Sequence, residues 1–161
     1  MTAAEALRLL SAQGRTLAVA ESLTGGLLAD AFVRVPGASA VLLGAVVAYA
    51  TPVKHSLLGV DAALLEREGP VHPEVARQMA DGVRRACAVD GRPADVGVAT
   101  TGVAGPGAQD GVPAGTVWAG AAVGDRVVAR TAVLPGGRED VRAGAVALAL
   151  AVLLECLGAP E

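Results

Sequence analysis

Glu21 and Ser22 interrupt a run of small apolar residues in the stretch VAESLTGGLLAD, and Gly25-Gly26 follow before the apolar pattern resumes. A serine at a strand-to-helix junction can act as a helix cap. It can also stand free as a nucleophile, because Thr24 is placed to cap the same helix. In that case the unpaired amides of Ser22 to Gly26 face a ligand, and the two glycines let it approach closely. That is the geometry of a nucleophile beside an oxyanion hole. A serine nucleophile needs a base, and the chain carries twelve arginines but a single lysine, Lys54. Arginine cannot lose its proton in a protein, whereas a desolvated lysine can. Lys54 is therefore either a chance survivor of a bias towards arginine or the base of a Ser-Lys pair. His55 is a second candidate base. His72, just before Pro73, reads as a helix cap.

Two further segments offer anion-binding chemistry. TTGVAGPGAQDGVPAGT, Thr100 to Thr116, has the small residues that let backbone amides cradle a phosphate. It lacks the Gly-Lys-Ser/Thr ending of a P-loop. GGREDVR sets Arg138 and Arg142 four residues apart at a helix start, where they either meet an anion together or form a solvated face with a Glu-Arg pair. No His/Cys/Asp cluster has metal-ligand spacing, and no cofactor motif is present.

Strands and helices must position these loops. Thr2 caps a first helix that Gly14 ends. Thr16 to Ala20 reads as a buried strand, Thr24 to Val35 as a helix, and Val41 to Ala50 as a central strand ending at Tyr49. Short helices follow around Lys54 to Leu58 and Asp61 to Glu68, then a long one from Pro73 to Val89. Asp95 to Thr100 is the next strand. Thr116 to Val123 and Arg126 to Leu134 form a hairpin across Gly124-Asp125, and a last helix covers Arg138 to Leu157. This alternation predicts a three-layer α/β/α domain over residues 1–161, with a mixed, mostly parallel sheet and one C-terminal hairpin. Ligands bind at the carboxyl ends of strands in such sheets, where the Glu21, Tyr49, Thr101 and Pro135 loops all lie.

Composition narrows the function. The 161 residues are 53% hydrophobic with a net charge of −3, so neither a basic nucleic-acid footprint nor a disordered acidic tail is present. The charge-free apolar run from Ala143 to Leu154 is short of the roughly 20 residues a bilayer needs, so no membrane role is expected. Glu5 and Arg8 in the first amphipathic segment argue against a signal peptide. Cys87 and Cys156 fit reduced thiols of a cytoplasmic protein. So few charges on so apolar a chain imply that part of the surface is buried by another subunit, as in a homo-oligomer.

The motifs AESLTGG, YATPVK, GPVHPEVARQMADG, TTGVAGPG, PAGTVW and GGREDVR, in this order and spacing, resemble the CinA C-terminal-domain family of nicotinamide-nucleotide amidases. The resemblance runs from about Thr16 to Leu157. It implies an α/β/α amidase that converts nicotinamide mononucleotide to nicotinate mononucleotide and ammonia, without a cofactor. Some members carry this domain behind a molybdopterin-binding-like domain; the resemblance here implies the stand-alone form. It assigns Ser22, Lys54 and Tyr49 to catalysis. Glu21, Thr24, Gly25, Gly26, Thr101, Gly102, Ala104, Gly105, Arg138 and Arg142 become the candidate substrate contacts. Leu23, Ala50-Thr51, Gly69-Pro70-Val71-His72 and Gly137 depart from the family pattern. The alternatives are a nucleotide-binding module without turnover, or a partner domain of a competence or damage-response assembly.

Overall fold

A computed structural model describes residues 2–158. Residue 1 and residues 159–161, the outer ends of the expected 1–161 domain, lie outside the described residues. The elements follow the order α1 (Ala3–Ala12), β1 (Leu17–Glu21), α2 (Leu27–Val33), β2 (Leu42–Val47), α3 (Thr51–Leu58), α4 (Ala62–Glu68), α5 (Pro73–Ala86), β3 (Val96–Gly102), β4 (Thr116–Val123), β5 (Arg126–Val133) and α6 (Arg138–Gly158). Local chemistry sets many boundaries. Thr2 and Glu5 form a reciprocal capping box on α1, Asp61 caps α4, and the His72 ring nitrogen caps α5 as expected.

The five strands lie in the order β2-β1-β3-β4-β5. β1 pairs with β2 and β3 in parallel, while β3–β4 and β4–β5 are antiparallel. The sheet is thus mixed, with the expected hairpin at the C-terminal side. One expectation is corrected here: β2 is an edge strand, not a central one. Its apolar, β-branched residues signal burial, but pairing on both sides depends on distant strands, and the chain crosses back over β1 to place β3.

Helices cover both faces of the sheet. Leu17, Val19, Val96, Val98, Ala119 and Ala121 point to the side of α1, α2 and α6. The alternate positions Ala18, Ala20, Ala99 and Ala122 face α5, which presents Val75, Met79 and Val83. The middle strands β1, β3 and β4 present alanine and glycine under α5, flanked by Val46 of β2 and Val127 of β5, and Gly97 and Gly120 let α5 come close. A Cβ on Gly97 would lie 1.8 Å from the Ala80 carbonyl oxygen, and one on Gly120 2.3 Å from that of Ala76. On the other face, α6 has 21 residues and is by length and composition apolar enough to cross a membrane. The expectation of too short a run counted only its charge-free middle. Here Val141, Ala145, Ala149 and Leu153 are buried where α6 packs on the sheet, α1 and α2.

The close approach of α5 gives a stability prediction. Gly97→Ala should destabilise the protein by about 3 kcal/mol or more, because the new methyl meets backbone that cannot move alone. Gly107→Ala, with nothing within 4 Å of its added carbon, should be close to neutral. Urea unfolding of both variants checks this, and equal effects would show that α5 is free to shift.

Candidate active site

The chain leaves β1 for α2 on one face and returns through α3, α4 and α5 on the other. β1 and β3 therefore flank the point where the winding reverses. Ligand crevices form outside the carboxyl ends of strands at such a point. A cavity of about 80 Å³ opens there, lined by Ser22, Tyr49, Thr51, Lys54, Thr101 and Arg138, together with Leu23, Pro70, Val71, Gly102, Ala104 and Gln109.

Ser22 directly follows β1, and Lys54 lies in the first turn of α3. Lys54 Nζ stands 3.0 Å from Ser22 Oγ. The same amine donates to the Ala48 carbonyl at 2.7 Å and approaches that of Tyr49 at 3.5 Å. A neutral amine has two hydrogens and one lone pair. With the two carbonyls taking the hydrogens, the lone pair faces the serine hydroxyl. Lys54 is only 1% exposed. Burial lowers its pKa to about 8, and the positive end of the α3 dipole acts in the same direction. Among the described residues no carboxylate pairs with it. His55 turns away from the serine: its Nδ1 lies 2.7 Å from the Val60 carbonyl oxygen, and it is not among the residues lining the cavity.

The loop carrying Ser22 is held from three sides, which corrects several substrate-contact assignments. Glu21 is fully buried. Its carboxylate accepts the amides of Gly26 and Leu28 at 3.0 Å and of Ala29 at 2.9 Å. It serves as the cap of α2 from inside, so the helix starts at Leu27 after a left-handed Gly26 rather than at Thr24. Thr24 is buried too, and its hydroxyl meets that of Thr100 at 2.8 Å; it neither caps α2 nor reaches the cavity. The Gly25 amide is spent on the Ser22 carbonyl and the Gly26 amide on Glu21. The expected oxyanion amides therefore narrow to those of Ser22, Leu23 and Thr24, of which the first two residues line the cavity.

Arg138 and Arg142 also part company. Arg142 donates from Nε to the Leu23 carbonyl and from Nη2 to that of Thr24, each at 3.0 Å, while Glu139 takes its third nitrogen at 2.9 Å. Its three nitrogens are thus engaged with the loop and with Glu139, and it is not among the residues lining the cavity. Arg138 turns the other way, donating to the Gly105 carbonyl at 2.8 Å and to the Tyr49 hydroxyl at 3.1 Å. It bridges the glycine-rich loop to Tyr49 at the rim of the cavity. Thr101 lines the wall and donates to the Pro70 carbonyl at 2.7 Å. Gly102 and Ala104 line the same wall, whereas Gly105 contributes only its carbonyl to Arg138. Thr51, Pro70 and Val71, marked in the sequence only as departures from the family pattern, also line the cavity, and so does Gln109, which no motif marked. Gln109 had a usable signal, as the one side-chain amide in a loop of small residues.

The burial of Lys54 makes stability depend on pH in a defined way. Its folded pKa, about 8, lies below its ordinary 10.5. Between these values the unfolded chain holds a proton that the folded one has lost, so stability rises with pH. Holding the ammonium inside at neutral pH costs the fold about 3 kcal/mol. Wild-type protein should therefore gain about that much relative to Lys54→Met as pH rises from about 8 to 10.5 in urea unfolding. A difference that stays flat with pH would mean that Lys54 titrates alike in both states.

Comparison with known proteins places the chain in a family and matches its fold. The family model described as the CinA C-terminal domain matches residues 1–157. A CinA-like protein of Frankia casuarinae is 51% identical over 144 residues, covering 89% of this chain and 32% of that protein. A CinA-like protein of Gemmatimonas aurantiaca is 44% identical over 136 residues, covering 84% and 31%. The chain thus spans about a third of the length of these curated relatives. Among solved structures, the competence damage-inducible protein A of Klebsiella pneumoniae superposes with a TM-score of 0.88 at 34% identity, covering all of both chains. A competence-damaged protein superfamily member from Escherichia coli gives 0.88 at 35% identity, covering 96% of this chain and 87% of that one.

Proposed function

Because the chain belongs to the CinA C-terminal domain family, we propose that it is an amidohydrolase that deamidates nicotinamide mononucleotide. The products are nicotinate mononucleotide and ammonia. The observation that carries this reading is the buried Lys54 amine 3.0 Å from the Ser22 hydroxyl, without a counter-charge. Neutral Lys54 takes the Ser22 proton as Oγ bonds to the carboxamide carbon, and the carbonyl electrons move to oxygen. The amides of Ser22 and Leu23 stabilise that oxyanion. Collapse breaks the C–N bond, and Lys54 returns the proton to the departing nitrogen, which leaves as ammonia. Water then attacks the acyl ester, giving its proton to Lys54. Ser22 leaves with that proton, and the product carboxylic acid gives its remaining proton to solvent and is released as the carboxylate.

The rest of the site fits this substrate. The cavity is small and suits a planar pyridine carboxamide head. The ribose phosphate then lies across the rim, where Arg138 and the glycine-rich loop stand. Tyr49 lines that rim with its ring and helps hold Lys54 only through its backbone carbonyl. Cys87 and Cys156 are free thiols, in keeping with a reducing cytoplasm.

Ammonia release from the purified protein tests the reaction and separates it from a binding module without turnover. Ser22→Ala should abolish release with the fold intact. Lys54→Arg should be inactive too, since arginine keeps the charge but cannot give up a proton. The wild-type rate should climb about tenfold per pH unit and level off above about pH 8, where Lys54 is neutral. Substantial turnover by Lys54→Arg would assign the base elsewhere.

The two arginines should separate by substrate. Arg138→Ala should lower kcat/KM on the nucleotide by about ten- to a hundredfold, and hardly change the weaker rate on nicotinamide riboside. Arg142→Ala should lower both alike, because it supports the Ser22 loop. Equal losses for Arg138→Ala on both substrates would remove it from phosphate recognition.

A further inference from the structure

Most polar side chains that line the cavity are already engaged. Ser22 meets Lys54, Thr101 donates to the Pro70 carbonyl, and the Tyr49 hydroxyl accepts from Arg138. Thr51 and Gln109 are the exceptions: neither side chain has a hydrogen-bond partner among the described residues. Thr51 lies on the first turn of α3 beside Lys54, among the reacting groups. Gln109 lies in the glycine-rich loop. It is exposed and yet lines the cavity, so it stands at the mouth. Its backbone is fixed all the same. The Gln109 N–H donates to the Val112 carbonyl at 3.0 Å, and the Val112 N–H donates back at 2.9 Å. Asp110 and Gly111 between them have φ of 50° and 79°, the left-handed pair that closes a two-residue hairpin turn. The segment QDGV is thus a pinned turn that holds an unpartnered side-chain amide at the mouth of the cavity.

We propose that Gln109 reads the ribose of the nucleotide, its amide bonding the vicinal 2′- and 3′-hydroxyls. Position argues for that contact. With the carboxamide carbon at Ser22 Oγ and its oxygen at the Ser22 and Leu23 amides, the ring fills the cavity of about 80 Å³. The ribose then lies at the mouth, between the buried ring and the phosphate near Arg138. Gln109 and Arg138 share that stretch of rim, because Gly105, whose carbonyl accepts from Arg138 at 2.8 Å, precedes Gln109 in the same loop. Chemistry argues for it as well. A diol is neutral and offers both donors and acceptors. A side-chain amide matches it, since Oε1 accepts from one hydroxyl while Nε2 donates to the other. The neighbouring carboxylates of Glu68 and Asp110 line a separate crevice of about 20 Å³ with Gln109, and neither residue lines the catalytic cavity. The mouth therefore sets a neutral group for the sugar beside a cation for the phosphate. Ribose recognition at Gln109 rests on the substrate reading given above, and binding and turnover together separate the two.

Wild type and Gln109→Ala should be assayed on nicotinamide mononucleotide and on its 2′-deoxy and 3′-deoxy analogues. The substitution should lower kcat/KM on the full nucleotide about tenfold, mostly through KM, because two neutral hydrogen bonds of about threefold each are lost. On either deoxy analogue the loss should shrink to about threefold, since one of the two bonds is already gone. Nicotinamide riboside keeps the diol, so Gln109→Ala should cost it the same factor, in contrast to Arg138→Ala. Equal losses on all three nucleotides would overturn the proposal, as the side chain would then support the loop. No loss on any of them would overturn it too. Calorimetric binding of the same nucleotides to Ser22→Ala, with and without Gln109→Ala, reads the contact without turnover. If the wild type releases no ammonia, the same pattern in Kd upholds the ribose contact while the amidase reading fails. Binding without that pattern, or no binding, overturns the ribose contact itself.

Discussion

The chemistry of this protein depends on one unfavourable burial. A lysine amine sits inside the molecule with carbonyl oxygens and a hydroxyl as neighbours and no carboxylate to keep it charged. Water would hold its proton up to an ordinary pKa of 10.5, but loss of that water lowers the value to about 8. A carboxylate in the pocket would reverse this and restore a permanent ammonium. The nearest acid in sequence to the serine, Glu21, is turned away and saturated by three backbone amides. The low pKa of Lys54 therefore depends on keeping negative charge out of the pocket as much as on burying the amine.

The same economy governs the loop that carries Ser22. Its charged neighbours are spent on backbone rather than on a ligand. Glu21 ties the loop to the first turn of α2, Arg142 grips the carbonyls of Leu23 and Thr24 from α6, and Thr24 meets Thr100 on β3. These contacts come from three different elements, so the serine is positioned by the packed body of the domain and not by its own turn. Arginine suits this role because its planar fork can bind two carbonyls at fixed separation. Catalytic groups gain from such support, since a small displacement costs more in rate than in stability.

The sheet itself is asymmetric for a related reason. Alanine and glycine of β1, β3 and β4 lie under the middle of α5, whereas β1 and β3 turn Leu17, Val19, Val96 and Val98 to the side of α1, α2 and α6. Close approach of α5 draws in α3, which packs against it, with Gly82 lying directly against the Leu58 carbonyl. Lys54 belongs to that same short helix. A tight backbone contact far from the cavity thereby helps set where the amine stands.

The amino-acid sequence by itself determined the order of elements, the hairpin, the helix caps at Thr2 and His72, the family resemblance, and Ser22 and Lys54 as the pair to watch. These are local signals, carried by periodicity, turn residues and the oddity of one lysine among arginines. Tertiary structure alone decided which polar groups are free. Arg138 and Arg142 share a helix face by spacing, yet their long side chains diverge to partners on different loops. Glu21, Thr24 and the two glycines looked open because their bonding partners lie in α2, in β3, or within the turn itself. β2 reads as a buried strand, but its place at the edge follows from how distant strands pair. Spacing along a chain fixes which residues can be near; only packing fixes which hydrogen bond each one makes.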